Sequence, residues 1–354
     1  MWPQQRAKNI ADTLARIKAR TKNRPLRFFF VPSNETDFIN YFPKAMFASE
    51  FAALKPEGFE YIADGQDRSN CDVAIITAHG SDLSSALWNL RGMVPNTLLA
   101  VWLWDNHLSH ITNFKTALAA DVVFPSHFYQ SSYLINPASA LLKHIPACTA
   151  QWTSDQAREN FARLATRPRQ SKLLANYVDY EFSWRSALLK RLKAEVPEAE
   201  VLLMQANDRS RYFKKTQTDR FAEWMEYKSS IVLPVDTDLS TRVFDALLAG
   251  QVLLVPKSIK DFDAVIPPVD QDRLGILRIP DVEIATIKNY ASQALKIFDE
   301  TGEAGVRERH EYVLAHHMLT HRIKAMLEDI AQAARAGTGP RFITDNTAPR
   351  GLLF

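Results

Sequence analysis

Apolar residues along the chain gather in short unbroken runs, and the segments between them carry apolar positions at helical spacing. In the N-terminal half the runs are "RFFFVP" at 27–32, a weaker "YIA" at 61–63, "CDVAIIT" at 71–77, "TLLAVWLW" at 97–104 and "DVVFP" at 121–125. Continuous rather than alternating apolar runs mark strands buried on both faces, as in parallel sheets covered by helices. Helical segments are expected within 34–54, at 84–91 and at 112–120. Strands alternating with helices argue for βαβ units and a doubly wound sheet. A mixed stretch with Pro146 and Pro168 follows, and then the pattern resumes. It predicts strands at 173–177, 200–204, 230–234 and 251–256, with helices at 184–195, 221–227 and 239–249. Two long helices at 282–299 and 304–335 precede a Gly/Pro-punctuated tail. No short internal repeat interrupts this order.

The pattern divides the chain into a basic helix (1–25), an N-terminal α/β domain (26–150), a crossing (151–170), a C-terminal α/β domain (171–335) and a tail (336–354). The length of 354 residues agrees with two domains. A composition of 46% hydrophobic and 23% charged residues is that of a globular protein with a sizeable core. Cys71 and Cys148 are the two cysteines, which excludes a zinc-type cluster and predicts buried thiols in a reducing compartment. The longest apolar run is far below the ~20 residues of a membrane span. The N-terminus lacks the apolar core of a signal peptide. A cytoplasmic location is therefore expected.

The net charge of +3 is too small to imply a nucleic-acid partner. It is unevenly placed. Residues 1–25 hold Arg6, Lys8, Arg16, Lys18, Arg20, Lys22 and Arg24 against Asp12, so this segment is +6 and the remainder −3. Ile10, Leu14 and Ile17 share one helical face. Two readings stay open: an amphipathic helix in peripheral contact with the acidic inner face of a membrane, or a helix packed on the N-terminal domain.

The most informative segment is "YKSSIVLPVDTDLSTRVFDALLAGQVLLVP" at 227–256. It reads strand, polar turn, helix, glycine stop, strand. Val243, Phe244, Leu247 and Leu248 form an apolar face, and Gly250 suits the position that ends a helix. Asp238 or Ser240 can cap the helix start. Ser240, Thr241 and Arg242 then occupy its first turn, where free N–H groups and a guanidinium fork suit a phosphate. In an open α/β sheet this turn lies at the carboxyl ends of the strands, where ligands bind. The alternative is a capped core helix with Arg242 in a surface ion pair.

This segment resembles the donor site of GT-B glycosyltransferases, and more narrowly the bacterial family-1-like, CgeB-like (spore-maturation) group. The resemblance rests on the proline-ended strand, the serine turn and "RVFDALLAG". A second stretch, "RERHEYVLAHHMLTHRIKAMLEDI" at 307–330, is similar to the closing helix of that group. Together they cover about the C-terminal third. The resemblance implies two Rossmann-like domains facing across a cleft. It also implies transfer of a sugar from a nucleotide-diphosphate donor to a glycan, lipid-linked or protein hydroxyl, in polysaccharide or cell-envelope biosynthesis, with no metal or other cofactor. It implies that the basic residue Arg242 neutralises the diphosphate and that Asp245 holds the donor ribose. One departure is clear: many retaining members carry a glutamate eight positions earlier, and here that position is Thr237. Donor sugar and stereochemistry therefore stay open. A nucleotide-sugar epimerase on the same fold, or a non-catalytic two-lobed binding protein, are the rival functions.

Further candidates sit at strand ends. Asp105 and His107 follow "TLLAVWLW" and could act as the general base of an inverting enzyme. His79 and Gly80 follow "CDVAIIT", and His127 follows "DVVFP"; these are acceptor-side candidates. Trp102 and Trp104 read as core. The basic run 209–220 contributes Arg209, and Lys228 is a second candidate for the diphosphate. His310, His316, His317 and His321 lack the intervening glutamate of a zinc protease motif, so packing or surface roles are expected. "DTD" at 236–238 matches a metal-binding pattern by letters, but its place before the donor helix argues against a metal.

Overall fold

The computed structural model describes residues 3–31, 44–54, 56–63, 65–78, 83–104, 109–127, 140–180, 183–205 and 214–336. The chain forms two compact units, Met1–Ala147 with Leu319–Phe354, and Cys148–Met318.

Unit 1 opens with helix α1 (Pro3–Arg20) and strand β1 (Leu26–Val31). It continues through α2 (Lys44–Leu54), β2 (Phe59–Tyr61), β3 (Val73–Ala78), α3 (Ser84–Met93), β4 (Leu98–Leu103), α4 (His110–Ala119), β5 (Val122–Pro125) and β6 (Ala140–Leu142). The strands form one parallel sheet in the order β2-β1-β3-β4-β5-β6. The continuous apolar runs are buried on both faces as expected. In β1, Phe29 joins the cluster of Leu83, Leu87 and Ala117 on one face, while Phe28 meets Phe51 of α2 at 5.0 Å on the other. Trp102 is fully buried, and its Nε1 donates to the Ile145 carbonyl at 2.9 Å. Ile10, Leu14 and Ile17 of α1 are buried. Cys71 and Cys148 are buried, and burial pushes the Cys71 thiol up to about 11.

Unit 2 contains α5 (Ser154–Leu164), β7 (Gln170–Asp179), α6 (Trp184–Glu195), β8 (Ala199–Gln205), α7 (Gln217–Met225), β9 (Tyr227–Ile231), α8 (Arg242–Leu248) and β10 (Val252–Pro256). It closes with α9 (Phe262–Val265), α10 (Pro268–Leu274), β11 (Leu277–Ile279) and α11 (Ile284–His316). Its parallel sheet has the order β11-β10-β9-β7-β8, so the direction of winding reverses between β7 and β9. Crevices at such a reversal are where open α/β sheets bind ligands.

The last described helix, α12 (Leu319–Ala336), belongs to unit 1 and not to the C-terminal domain in which the sequence pattern had placed it. Its buried stripe of Ile323, Met326, Leu327 and Ile330 packs on that side. Lys18 Nζ donates to the Arg335 carbonyl at 2.8 Å, Arg322 Nε to the Pro146 carbonyl at 3.1 Å, and Lys143 pairs with Asp329. The expected break between the two long helices at 300–303 is a kink at Gly302 (φ 54°, ψ −148°) within α11; the helix itself ends at His316. Where the chain leaves unit 2, Met318 bridges Thr149 at its entry.

Candidate functional site

The carboxyl ends of β7 and β9 meet at the winding reversal of unit 2. Tyr177 of β7 pins them together: its hydroxyl donates to the Ile231 carbonyl at 2.8 Å and accepts from the Leu233 N–H at 2.7 Å. Burial raises the Tyr177 pKa, so the phenol stays neutral. Two guanidinium groups lie on its ring, Arg242 at 4.6 Å and Arg185 at 4.8 Å from the centroid. Arg242 is half-buried and donates through Nε to the Asn176 carbonyl at 2.9 Å. Arg185 is buried, contacts the Leu233 carbonyl at 3.3 Å, and has an Nε without a hydrogen-bond partner. Burial, and then repulsion from Arg242, lower the Arg185 pKa, although it remains a cation at neutral pH. Among the described residues neither arginine forms an ion pair. Two cations thus share an aromatic platform at a ligand-binding position of the fold, a combination suited to an anion with several oxygens.

The sequence singled out Arg242 but not Arg185. Arg185 follows the helix start, where Ser183 Oγ accepts from the Ser186 N–H at 3.1 Å. An arginine at that point in "SWRSALLK" looks like a solvated side chain. Arg185 contacts Tyr177 across the turn between β7 and α6, and Leu233, 48 positions away.

Ser240 and Thr241 lie beside Arg242 and are half-buried. Ser240 Oγ accepts weakly from the Arg242 N–H at 3.3 Å. Asp238 does not cap α8; it is buried and accepts from the Asp236 N–H at 3.1 Å, shaping the turn instead. Asp245 faces inward at 2% exposure. Its two oxygens accept from Thr149 Oγ1 and Gln151 Nε2, both at 2.7 Å, and burial pushes its pKa up to about 6. At 2% exposure, Asp245 would have to be uncovered before it could meet a donor ribose.

Lys228 stands at the start of β9, at the sheet edge opposite Arg242, and pairs with Asp299 at 2.7 Å. The structure does not bring these two cations together. Asp105, His107, His79, Gly80 and Arg209 lie outside the described residues. His127 is buried at the end of β5. His310 is a packing residue: its ring stacks on Phe161 at 3.9 Å, Nδ1 sits 2.6 Å from the Leu248 carbonyl, and burial holds its pKa down to about 4. Among the described residues, no three His, Cys, Asp or Glu side chains group as a metal site.

No family model matches the sequence, and no curated protein matches it. Solved structures do resemble it. Sucrose-phosphate synthase from Thermosynechococcus elongatus aligns with a TM-score of 0.55 at 11% identity, over 89% of this chain and 100% of the other. An α,α-trehalose 6-phosphate synthase from Burkholderia multivorans aligns with 0.51 at 12% identity, over 91% and 85%. A UDP-forming α,α-trehalose-phosphate synthase from Burkholderia vietnamiensis aligns with 0.50 at 12% identity, over 84% and 76%. At such identities the likeness speaks for architecture alone, and that architecture, two parallel-sheet Rossmann-like units with a helical C-terminus, is the GT-B glycosyltransferase fold.

Proposed function

We propose that this protein transfers a sugar from a nucleotide-diphosphate donor to a hydroxyl acceptor. The observation that carries the reading is the pair Arg185 and Arg242 on the Tyr177 ring, at the winding reversal of the unit 2 sheet. Their forks match the oxygens of a diphosphate and offset the charge that builds on the leaving nucleotide as the glycosidic bond breaks. Ser240 and Thr241 add hydroxyls beside Arg242. The structural neighbours support the same class, and the name of one, UDP-forming, favours uridine as the donor nucleoside. Asp105, with His107, is the proposed base that takes the acceptor proton, and the His79–Gly80 and His127 strand ends are proposed for the acceptor side. The acceptor itself is proposed to be a glycan, lipid-linked or protein hydroxyl of the cell envelope, as the CgeB-like resemblance implies. The apolar stripe of α1 is covered within unit 1, so a peripheral membrane contact would use the exposed Lys8, Lys18 and Lys22 instead.

A thermal-unfolding screen of the whole chain against nucleotide sugars, followed by release of free nucleotide, tests the reading. A transferase is stabilised by its donor and hydrolyses it slowly without an acceptor. Absence of both stabilisation and turnover across UDP-, GDP- and ADP-sugars would overturn it.

A further inference from the structure

A cavity of about 220 Å³ lies at the amino-terminal edge of the unit 2 sheet. Its wall includes Arg167 and Arg169 ahead of β7, Lys228 at the start of β9, and Phe298, Asp299 and Gly302 at the kink of α11. β7 runs from Gln170, and Tyr177 lies seven residues further on, so the cavity is roughly 25 Å from the Arg185–Arg242 pair along the strand.

The cavity wall holds Arg167, Arg169 and Lys228 against Asp299 and the exposed Glu303, so cations outnumber carboxylates. Three cations surround the Phe298 ring: Arg169 at 5.3 Å, Arg309 at 5.8 Å and Lys228 Nζ at 6.0 Å from its centroid. Arg169 and Arg309 spend their donors on backbone carbonyls, Arg169 on Ala249 at 2.8 Å and Arg309 on Gly250 at 3.0 Å. Each keeps a buried Nη2 without a hydrogen-bond partner, and neither forms an ion pair among the described residues. Burial, together with Arg309 nearby, pushes the Arg169 pKa down to about 10. Lys228 is neutralised by Asp299, whose side chain is 59% exposed and can swing away into solvent. The two desolvated guanidinium groups, Arg169 and Arg309, have no paired carboxylate among the described residues, which is costly unless an anion joins them. A volume of 220 Å³ is about seven times the ~30 Å³ that one water occupies in the liquid, which suits a phosphate group with a few carbons and excludes a nucleotide sugar.

We propose that this cavity binds a small phosphate-bearing molecule through Arg169 and Lys228, beside the Gly302 kink. The site is separate from the donor site and stands whether or not the chain is a transferase. Arg169 also holds the Ala249 carbonyl at the end of α8, the helix that begins with Arg242, so an occupant grips that helix at the end away from the donor.

The test is calorimetric titration of the whole chain with inorganic phosphate at constant ionic strength. A background variant, Arg185→Gln with Arg242→Gln, removes phosphate binding at the donor position. Saturable binding is expected to persist in that background and to weaken at least ~10-fold on adding Lys228→Gln. Arg169→Gln should weaken it similarly; because that change also removes a bond to Ala249, the Lys228→Gln variant, whose ammonium pairs only with the exposed Asp299, decides the matter if the other fails to fold. Loss of all phosphate binding in the background variant, or binding indifferent to Lys228→Gln, would overturn the proposal.

Discussion

Replacing Asp245 by asparagine tests the packing at the heart of unit 2. The carboxylate is 2% exposed, accepts from Thr149 and Gln151, and titrates near 6 instead of 3.8. A carboxyl whose folded pKa is raised prefers its proton in the folded state. The ionised form is then a cost at pH 7, and that cost disappears as pH falls through 6 towards 3.8. The gap corresponds to roughly 3 kcal/mol at ~1.4 kcal/mol per pH unit, of which about 2 kcal/mol is recovered between pH 7 and pH 4. Asparagine keeps the shape and has no such titration. Urea unfolding of both proteins at pH 7, 6, 5 and 4, followed by tryptophan fluorescence, gives the difference in stability at each pH; other titrating groups are common to both and cancel. Wild type should gain about 2 kcal/mol on the variant as pH falls across that range. A difference that stays flat would mean Asp245 titrates as a solvated carboxylate. A loss would mean the two hydrogen bonds outweigh the burial.

Other outcomes follow from the same structure. His310 has its pKa held down to about 4, so its contribution is lost as pH falls from 6.5 towards 4; His310→Phe should flatten that acid limb by roughly 3 kcal/mol in the same urea series. Gly250 sits at φ 76°, and a Cβ there would meet the Val306 carbonyl oxygen at 2.9 Å; Gly250→Ala should lower stability by at least ~1–3 kcal/mol, read as a lower urea midpoint at unchanged slope. Asp105→Asn should leave donor binding intact while abolishing transfer to an acceptor, and normal turnover would remove Asp105 as the base.

Much of the fold was legible because its strands are buried on both faces. β1, β3, β4 and β5 of unit 1 are nearly unbroken apolar runs, and no competing pattern hides them. β6 and β11 were missed because three residues at a sheet edge leave too little signal. β9 was expected at 230–234 and lies at Tyr227–Ile231. It buries Ser229 and Ser230, whose hydroxyls donate to the Lys172 and Leu174 carbonyls, so hydropathy alone slides the strand forward. The site was half legible. Arg242 stood out through its neighbours in "LSTRVFDALLAG". Arg185 could not, because its partners Tyr177 and Leu233 come together only when β7 and β9 pair across the winding reversal. Lys228 lies one residue into the same segment as Arg242, yet a strand carries it to the opposite edge of the sheet.

The most direct measurement is calorimetric titration of UDP into the whole chain and into the Arg185→Ala and Arg242→Ala variants. Each truncation is expected to weaken binding by about 1.5–3 kcal/mol, the scale of a charge-assisted hydrogen bond, and the two together should not simply add because both cations share Tyr177. UDP binding that is unchanged in both variants would contradict the assignment of the diphosphate to this pair.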